Sequence, residues 1–240
     1  MKTSVSAPAA ARTLAKRAYQ RLRRDIVQGQ WPPGGKLKLE ALVQHYEIGM
    51  SPLREALARL VGDQLVKTED QRGFWVAPLS LEELDDISRV RDLIETEALR
   101  LSIERGNETW EARVREAFDA LNEVEIEVVS QGGTASPELL GAWEERNRQF
   151  HYALVSACDS PWLIKLQDLL YHQAERYRRV SLSASRGKRF VQEEHQAIFE
   201  ATLERNPLRA CRLTRDHLMR TYDEVRKTVA ALGAEQKDAS

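Results

Sequence analysis

The sequence predicts a mainly α chain in two modules: three short helices with a β-hairpin at the N-terminus, then an all-α helical bundle. Three observations carry this. Apolar residues recur at three- and four-residue spacing along most of the chain. Strand-like runs flanking a polar, glycine-containing turn occur near residues 65–76. Charge also changes sign along the chain: residues 1–79 hold thirteen Lys and Arg against seven Asp and Glu, whereas residues 80–240 hold 23 against 30.

Residues 1–11 are mostly small and are expected to form a flexible tail. The first module spans 12–78. Its opening helix, 12–28, carries Leu14, Ala18, Leu22 and Ile26 on one stripe, with Arg17, Arg21, Arg23 and Arg24 over the rest. Trp31-Pro32-Pro33-Gly34-Gly35 cannot continue a helix and is a turn. A second helix, Leu39 to Tyr46, follows. Ile48-Gly49 supplies a tight turn, and Ser51-Pro52 reads as the cap and first residue of a third helix whose core stripe is Leu53, Leu57 and Leu60. Leu65-Val66-Lys67-Thr68 and Phe74-Trp75-Val76 then frame the polar turn Glu69-Asp70-Gln71-Arg72-Gly73. Three helices and a hairpin in this order are the parts of a winged helix-turn-helix, whose third helix enters the major groove of DNA. Ser51 and Arg54 share a face near the start of that helix, where free N–H groups favour a phosphate. Arg54 can grip a guanine edge or a phosphate with two hydrogen bonds. Arg59, further along, suits a phosphate.

The second module, 80–232, reads as six helices. Ser80-Leu81-Glu82-Glu83 has the pattern of a capping box. Three of the later helices start with one shared device, a cap residue followed by proline: Ser136-Pro137, Ser160-Pro161 and Asn206-Pro207. Residues 233–240 are expected to form a second tail. No run nears the roughly 18 apolar residues of a membrane span, and no secretory signal is expected. Cys158 and Cys211 lack the spacing of a thiolate metal site or a disulfide framework, so a reducing cytoplasm is expected.

His151, His195 and His217 fall on three different predicted helices, and Asn147 lies one turn before His151. Imidazoles meeting inside a bundle can bind a divalent ion such as Zn, Ni, Mn or Fe. Equally, each can be an ordinary buried polar residue. His172 fits that plainer reading.

Residues 22–76 resemble the DNA-binding domain of GntR-type regulators. The matching motifs are Pro33-Gly34 with Leu37, Ser51-Pro52-Leu53-Arg54-Glu55-Ala56-Leu57 with Leu60, Leu65-Val66, and Arg72-Gly73-Phe74 with Val76. The resemblance implies that Lys38, Ser51, Arg54, Arg72 and Gly73 contact DNA. Met50 stands where many relatives carry a polar or basic residue. Residues 83–222 resemble the helical effector domain of the FadR branch, the FCD domain, through Arg91 and Glu95, Phe150-His151, Glu194-His195 with Ile198 and Ala201, and Ala210 followed by His217-Leu218. In metal-binding members an Asp joins three His ligands. Here Asn147 takes its place, beside His151, His195 and His217. The resemblance also implies a small organic acid as effector, with Arg91 meeting its carboxylate; Arg176, in the run Arg176-Tyr177-Arg178-Arg179, is a further candidate.

The implied protein is a ligand-responsive regulator that represses transcription by binding a near-palindromic operator as a homodimer. It resembles regulators of small-acid and amino-acid catabolism, including the type that controls gab operons. Three His with an open position also suit a metalloenzyme carrying an accessory nucleic-acid-binding module. However, the sequence has no HExxH motif, and that reading leaves Arg54 and the wing without a role.

Overall fold

The computed structural model describes residues 7–69, 73–132, 135–185 and 191–238. They divide into two compact units, Met1–Ser80 and Leu81–Ser240.

In the first unit, α1 (Ala7–Val27), α2 (Leu39–Tyr46) and α3 (Met50–Gly62) pack with a three-stranded sheet. The sheet contains β1 (Lys36–Leu37), β2 (Val66–Glu69) and β3 (Gly73–Val76) in the order β1-β3-β2, antiparallel throughout. Leu22, Ile26, Leu42, Leu53, Leu57 and Leu60 from the helices meet Leu37, Val66 and Val76 from the inner sheet face in one core. Strand alternation puts Lys36, Trp75 and Lys67 in one row on the other face.

Two boundaries differ from expectation. Residues 7–11, expected as tail, belong to α1. The third helix starts at Met50, with Gly49 as its N-cap, so Ser51 lies within the helix and does not cap it. The reason is that the first helical N–H groups need no intrahelical partner. Pro52, at the third helical position, therefore sacrifices no bond. The first bond runs from the Leu53 N–H to the Gly49 carbonyl at 3.3 Å. The strand β1 was not expected; two residues are too few to show a period.

The second unit is a bundle of α4 (Leu81–Arg105), α5 (Glu108–Ser130), α6 (Pro137–Val155), α7 (Pro161–Ser185), α8 (Gln192–Leu203) and α9 (Pro207–Asp238). The helix α9 runs through 233–238, which were expected as tail. All three cap-proline devices operate. Ser136 Oγ accepts from Leu139 N–H (3.2 Å), Ser160 Oγ from Leu163 N–H (3.3 Å) and Asn206 Oδ1 from Arg209 N–H (3.0 Å). Trp110, Phe118, Phe150, Leu154 and Ile198 build the core, in which Phe118 stacks on Phe199 at 4.1 Å. The buried Trp110 indole donates to the Ala153 carbonyl at 2.9 Å, tying α5 to α6.

Candidate nucleic-acid interface and metal centre

In the winged unit the candidate contacts are solvent-facing. Lys38, at the N-cap position of α2, and Ser51 and Arg54, in the first turns of α3, are all exposed. Among the described residues nothing holds the Arg54 guanidinium. Arg59 pairs with Glu55 at 2.6 Å, an exposed i,i+4 pair worth only about 0.3–0.5 kcal/mol and easily exchanged for a phosphate. Gly73 opens β3 with φ +121°, a conformation that disfavours any side chain. Arg72 lies outside the described residues.

A buried polar network fixes the helices that carry this face. Tyr46 donates to Asp25 (2.7 Å) and accepts from the Trp31 indole (2.9 Å), while Arg21 donates to the Tyr46 carbonyl (3.0 Å). Burial, and then the Asp25 hydrogen bond, push the Tyr46 phenol above its ordinary range, so it stays a donor. The network joins α1, the Trp-Pro-Pro turn and α2. Its members are scattered in sequence, so no local pattern marks it as a network.

In the helical unit, His151 from α6, His195 from α8 and His217 from α9 meet, with one nitrogen of each within 4.8 Å of the others. Ring centroids stand 5.7 Å (His151–His195), 5.4 Å (His151–His217) and 4.7 Å (His195–His217) apart. All three are buried, His195 completely. A carboxylate faces Nδ1 of each: Glu125 on His195 and Glu194 on His217, both at 2.8 Å, and Glu95 near His151 at 3.7 Å. A carboxylate on one ring nitrogen orients an imidazole to offer the other to a metal. Burial, with the charges of His217, His195, Arg91 and Arg178 in support, holds the His151 pKa well below its ordinary value and its ring neutral, as a ligand must be.

Asn147 lies buried one turn before His151. Its amide nitrogen donates to the Tyr171 hydroxyl at 2.8 Å. Among the described residues its Oδ1 has no partner, nor has Nε2 of His195. Two buried lone pairs without a donor are costly unless something takes them, and an N/O donor set of this kind fits a divalent ion. Glu125, 70 residues from His195, was missed from sequence because nothing local marks it.

Next to this cluster, a cleft between α4, α7 and α9 is lined by Arg91, Arg178, Ser88, Thr221, Tyr222 and apolar neighbours. Arg91 is held by Glu95 (2.8 Å), and Arg178 is gripped at two points by Glu144 (2.8 and 2.9 Å). Burial opposes the Arg178 charge, but Glu144 outweighs it and keeps the guanidinium protonated. Arg176 donates to Gln173 (3.0 Å) and is not among the residues lining this cleft; in the run 176–179 it is Arg178 that reaches it.

A basic winged helix-turn-helix followed by a helical bundle with a buried polar pocket defines a class: DNA-binding transcriptional regulators with an attached sensing domain. Residues 14–76 match the family described as bacterial regulatory proteins, gntR family, and residues 86–220 match the FCD domain. The chain is 40% identical over 217 residues to the HTH-type transcriptional regulator BphR of Paraburkholderia xenovorans (strain LB400), covering 90% of this chain and 86% of that one. It is 33% identical over 216 residues to the HTH-type transcriptional repressor GlaR of Escherichia coli (strain K12), covering 88% and 96%. In fold it is similar to E. coli McbR/YncC (TM-score 0.75, 18% identity, 90% of this chain and 98% of that one). A GntR regulator from Rhodococcus sp. RHA1 is also similar (TM-score 0.70, 22% identity, 88% and 96%). The chain belongs to the GntR family, in its FCD-containing branch. It is a ligand-responsive DNA-binding transcriptional regulator and not an enzyme; the metalloenzyme alternative has no support among its relatives. Among the described residues, no helix is long and apolar enough to cross a membrane.

Proposed function

We propose that this regulator is a homodimeric, cytoplasmic repressor of a near-palindromic operator, and that its helical unit senses an organic acid with the help of one divalent ion. A two-fold dimer matches such an operator by symmetry. Arg54 and Ser51 would read the major groove, Lys38 and Arg59 would meet the backbone, and Arg72 and Gly73 would form the contact of the wing.

The observation that carries the sensing half is the meeting of three buried, carboxylate-backed imidazoles beside the unpartnered Asn147 oxygen. Asn147, His151, His195 and His217 would hold the ion, with Zn, Ni, Mn or Fe all compatible. When bound, it would supply a Lewis-acidic point for an effector carboxylate. Arg91 and Arg178 line the neighbouring cleft and would present guanidinium to the rest of the anion, exchanging it against Glu95 and Glu144. Occupancy would alter operator affinity through a coupling free energy of about 1–3 kcal/mol.

The test is metal analysis and operator binding on wild type and His195→Ala. Wild type should carry about one ion per chain, in line with a single four-donor site. The variant should lose the ion, keep operator binding and lose release by the organic acid that releases wild type. Equal metal content in the two proteins would reject the assigned ligands.

A further inference from the structure

We infer that the outer face of the winged sheet is a second seat for duplex DNA, in which Lys36 and Lys67 each take a backbone phosphate and Trp75 between them lies against the sugars. The residues assigned to DNA above sit on α2, on α3 and at the hairpin tip, and none of these three is among them. The inference rests only on the winged unit binding DNA.

Register and alternation place the three side chains in one row. Lys36 on β1 and Lys67 on β2 both pair with Trp75 on the central strand β3. The opposite face, with Leu37, Val66 and Val76, is committed to the core, so this row points outward. Both lysines are exposed, and among the described residues neither pairs with a carboxylate. Trp75 is only half-buried, which leaves much of a large ring without a partner. Lys36 Nζ stands 5.0 Å from the centre of that ring. The ring edge leans toward Gly73, whose missing side chain leaves it open: a Cβ there would stand 3.8 Å from both the Trp75 ring and Lys36 Cε. The row is therefore continuous with the wing glycine already assigned to DNA. A flat apolar ring with a cation on either side matches a sugar–phosphate strand, which alternates anion, sugar and anion. Cations interleaved with aromatic faces are a general means of holding nucleic acid. Net charge agrees, with thirteen Lys and Arg against seven Asp and Glu in residues 1–79. Among the described strand residues Glu69 is the one acid on this face, opposite Gly73 at the hairpin end, so the two lysines outnumber it.

The experiment follows binding of the full-length protein to a random-sequence duplex by fluorescence anisotropy, between about 50 and 200 mM salt. A random sequence suffices because phosphate contacts carry no sequence information. On logarithmic axes affinity falls with salt at a slope of about 0.9 per phosphate contact. Replacing both lysines, Lys36→Gln with Lys67→Gln, should weaken binding and flatten the slope by about 1.8 per chain. Trp75→Thr should weaken binding about fivefold or more at every salt concentration and keep the slope, since the ring carries no charge. Trp75→Phe should recover most of that loss. The control is Lys165→Gln, which removes a lysine that likewise lies over an exposed ring, Trp162 at 4.8 Å, but in the helical unit; it should leave affinity and slope as they are. An unchanged slope in the double lysine variant would overturn the inference. So would an equal flattening in Lys165→Gln, which would make net charge and not contact the cause. Either result, with Arg54→Ala still weakening DNA binding, would leave the assignment of α3 standing.

Discussion

Tyr46 shows how much one side chain holds in the winged unit. It is almost fully buried, and its hydroxyl serves both the Asp25 carboxylate and the Trp31 indole. Tyr46→Phe keeps the ring and takes the hydroxyl from the buried Asp25 carboxylate and from the half-buried Trp31 indole; the stranded Asp25 oxygen alone should cost about 1–3 kcal/mol. A lowered Tm of the winged unit with unchanged helix content is expected. Glu175 makes a different prediction. Burial alone would raise its pKa, but the His172 hydrogen bond and the Arg179 and Arg178 charges override burial and hold it well below the ordinary carboxylate value. A depressed carboxylate stabilises the fold above its unfolded pKa, and that contribution is lost as pH falls toward the depressed folded value. Glu175→Gln should therefore be less stable than wild type at neutral pH, with the gap closing in acid; chemical denaturation across that range measures it.

At the scale of elements, most boundaries could be read because local chemistry sets them. The cap-proline starts of α6, α7 and α9 operate through the hydroxyl and amide oxygens that the sequence displays. Where the structure departs from the sequence pattern, the cause is a neighbouring backbone or packing between helices. Ser51 looks like a cap, yet Gly49 before it has the extended backbone and α3 is already helical at Met50. The imidazole cluster could be anticipated as three histidines on three helices, but Glu125 and Tyr171 join it only through packing of α5 and α7. The same packing selects Arg178 rather than Arg176 for the cleft. Gly106, at the turn from α4 to α5, is fixed by crowding: a Cβ there would collide with the Trp110 ring and stand 2.6 Å from the Ser102 carbonyl. Gly106→Ala should cost about 1–3 kcal/mol, as overpacking usually does, read as a fall in Tm.

The whole molecule joins a basic unit that meets a polyanion to an acidic unit that houses a polar pocket, and its relatives establish that such a pair regulates transcription. Metal binding to the folded state alone should raise stability by about 2.7 kcal/mol at a hundred times the dissociation constant. Chelation should accordingly lower the Tm of wild type and leave His195→Ala unchanged. The most direct test of the central claim is a gel shift with the DNA upstream of the regulator's own gene, comparing wild type with Arg54→Ala at fixed salt. Wild type should bind tightly against competitor DNA. Removing the Arg54 guanidinium should weaken binding by about 1–3 kcal/mol, roughly five- to 150-fold. Equal binding by the two proteins would contradict the assignment of α3 as the element that reads DNA.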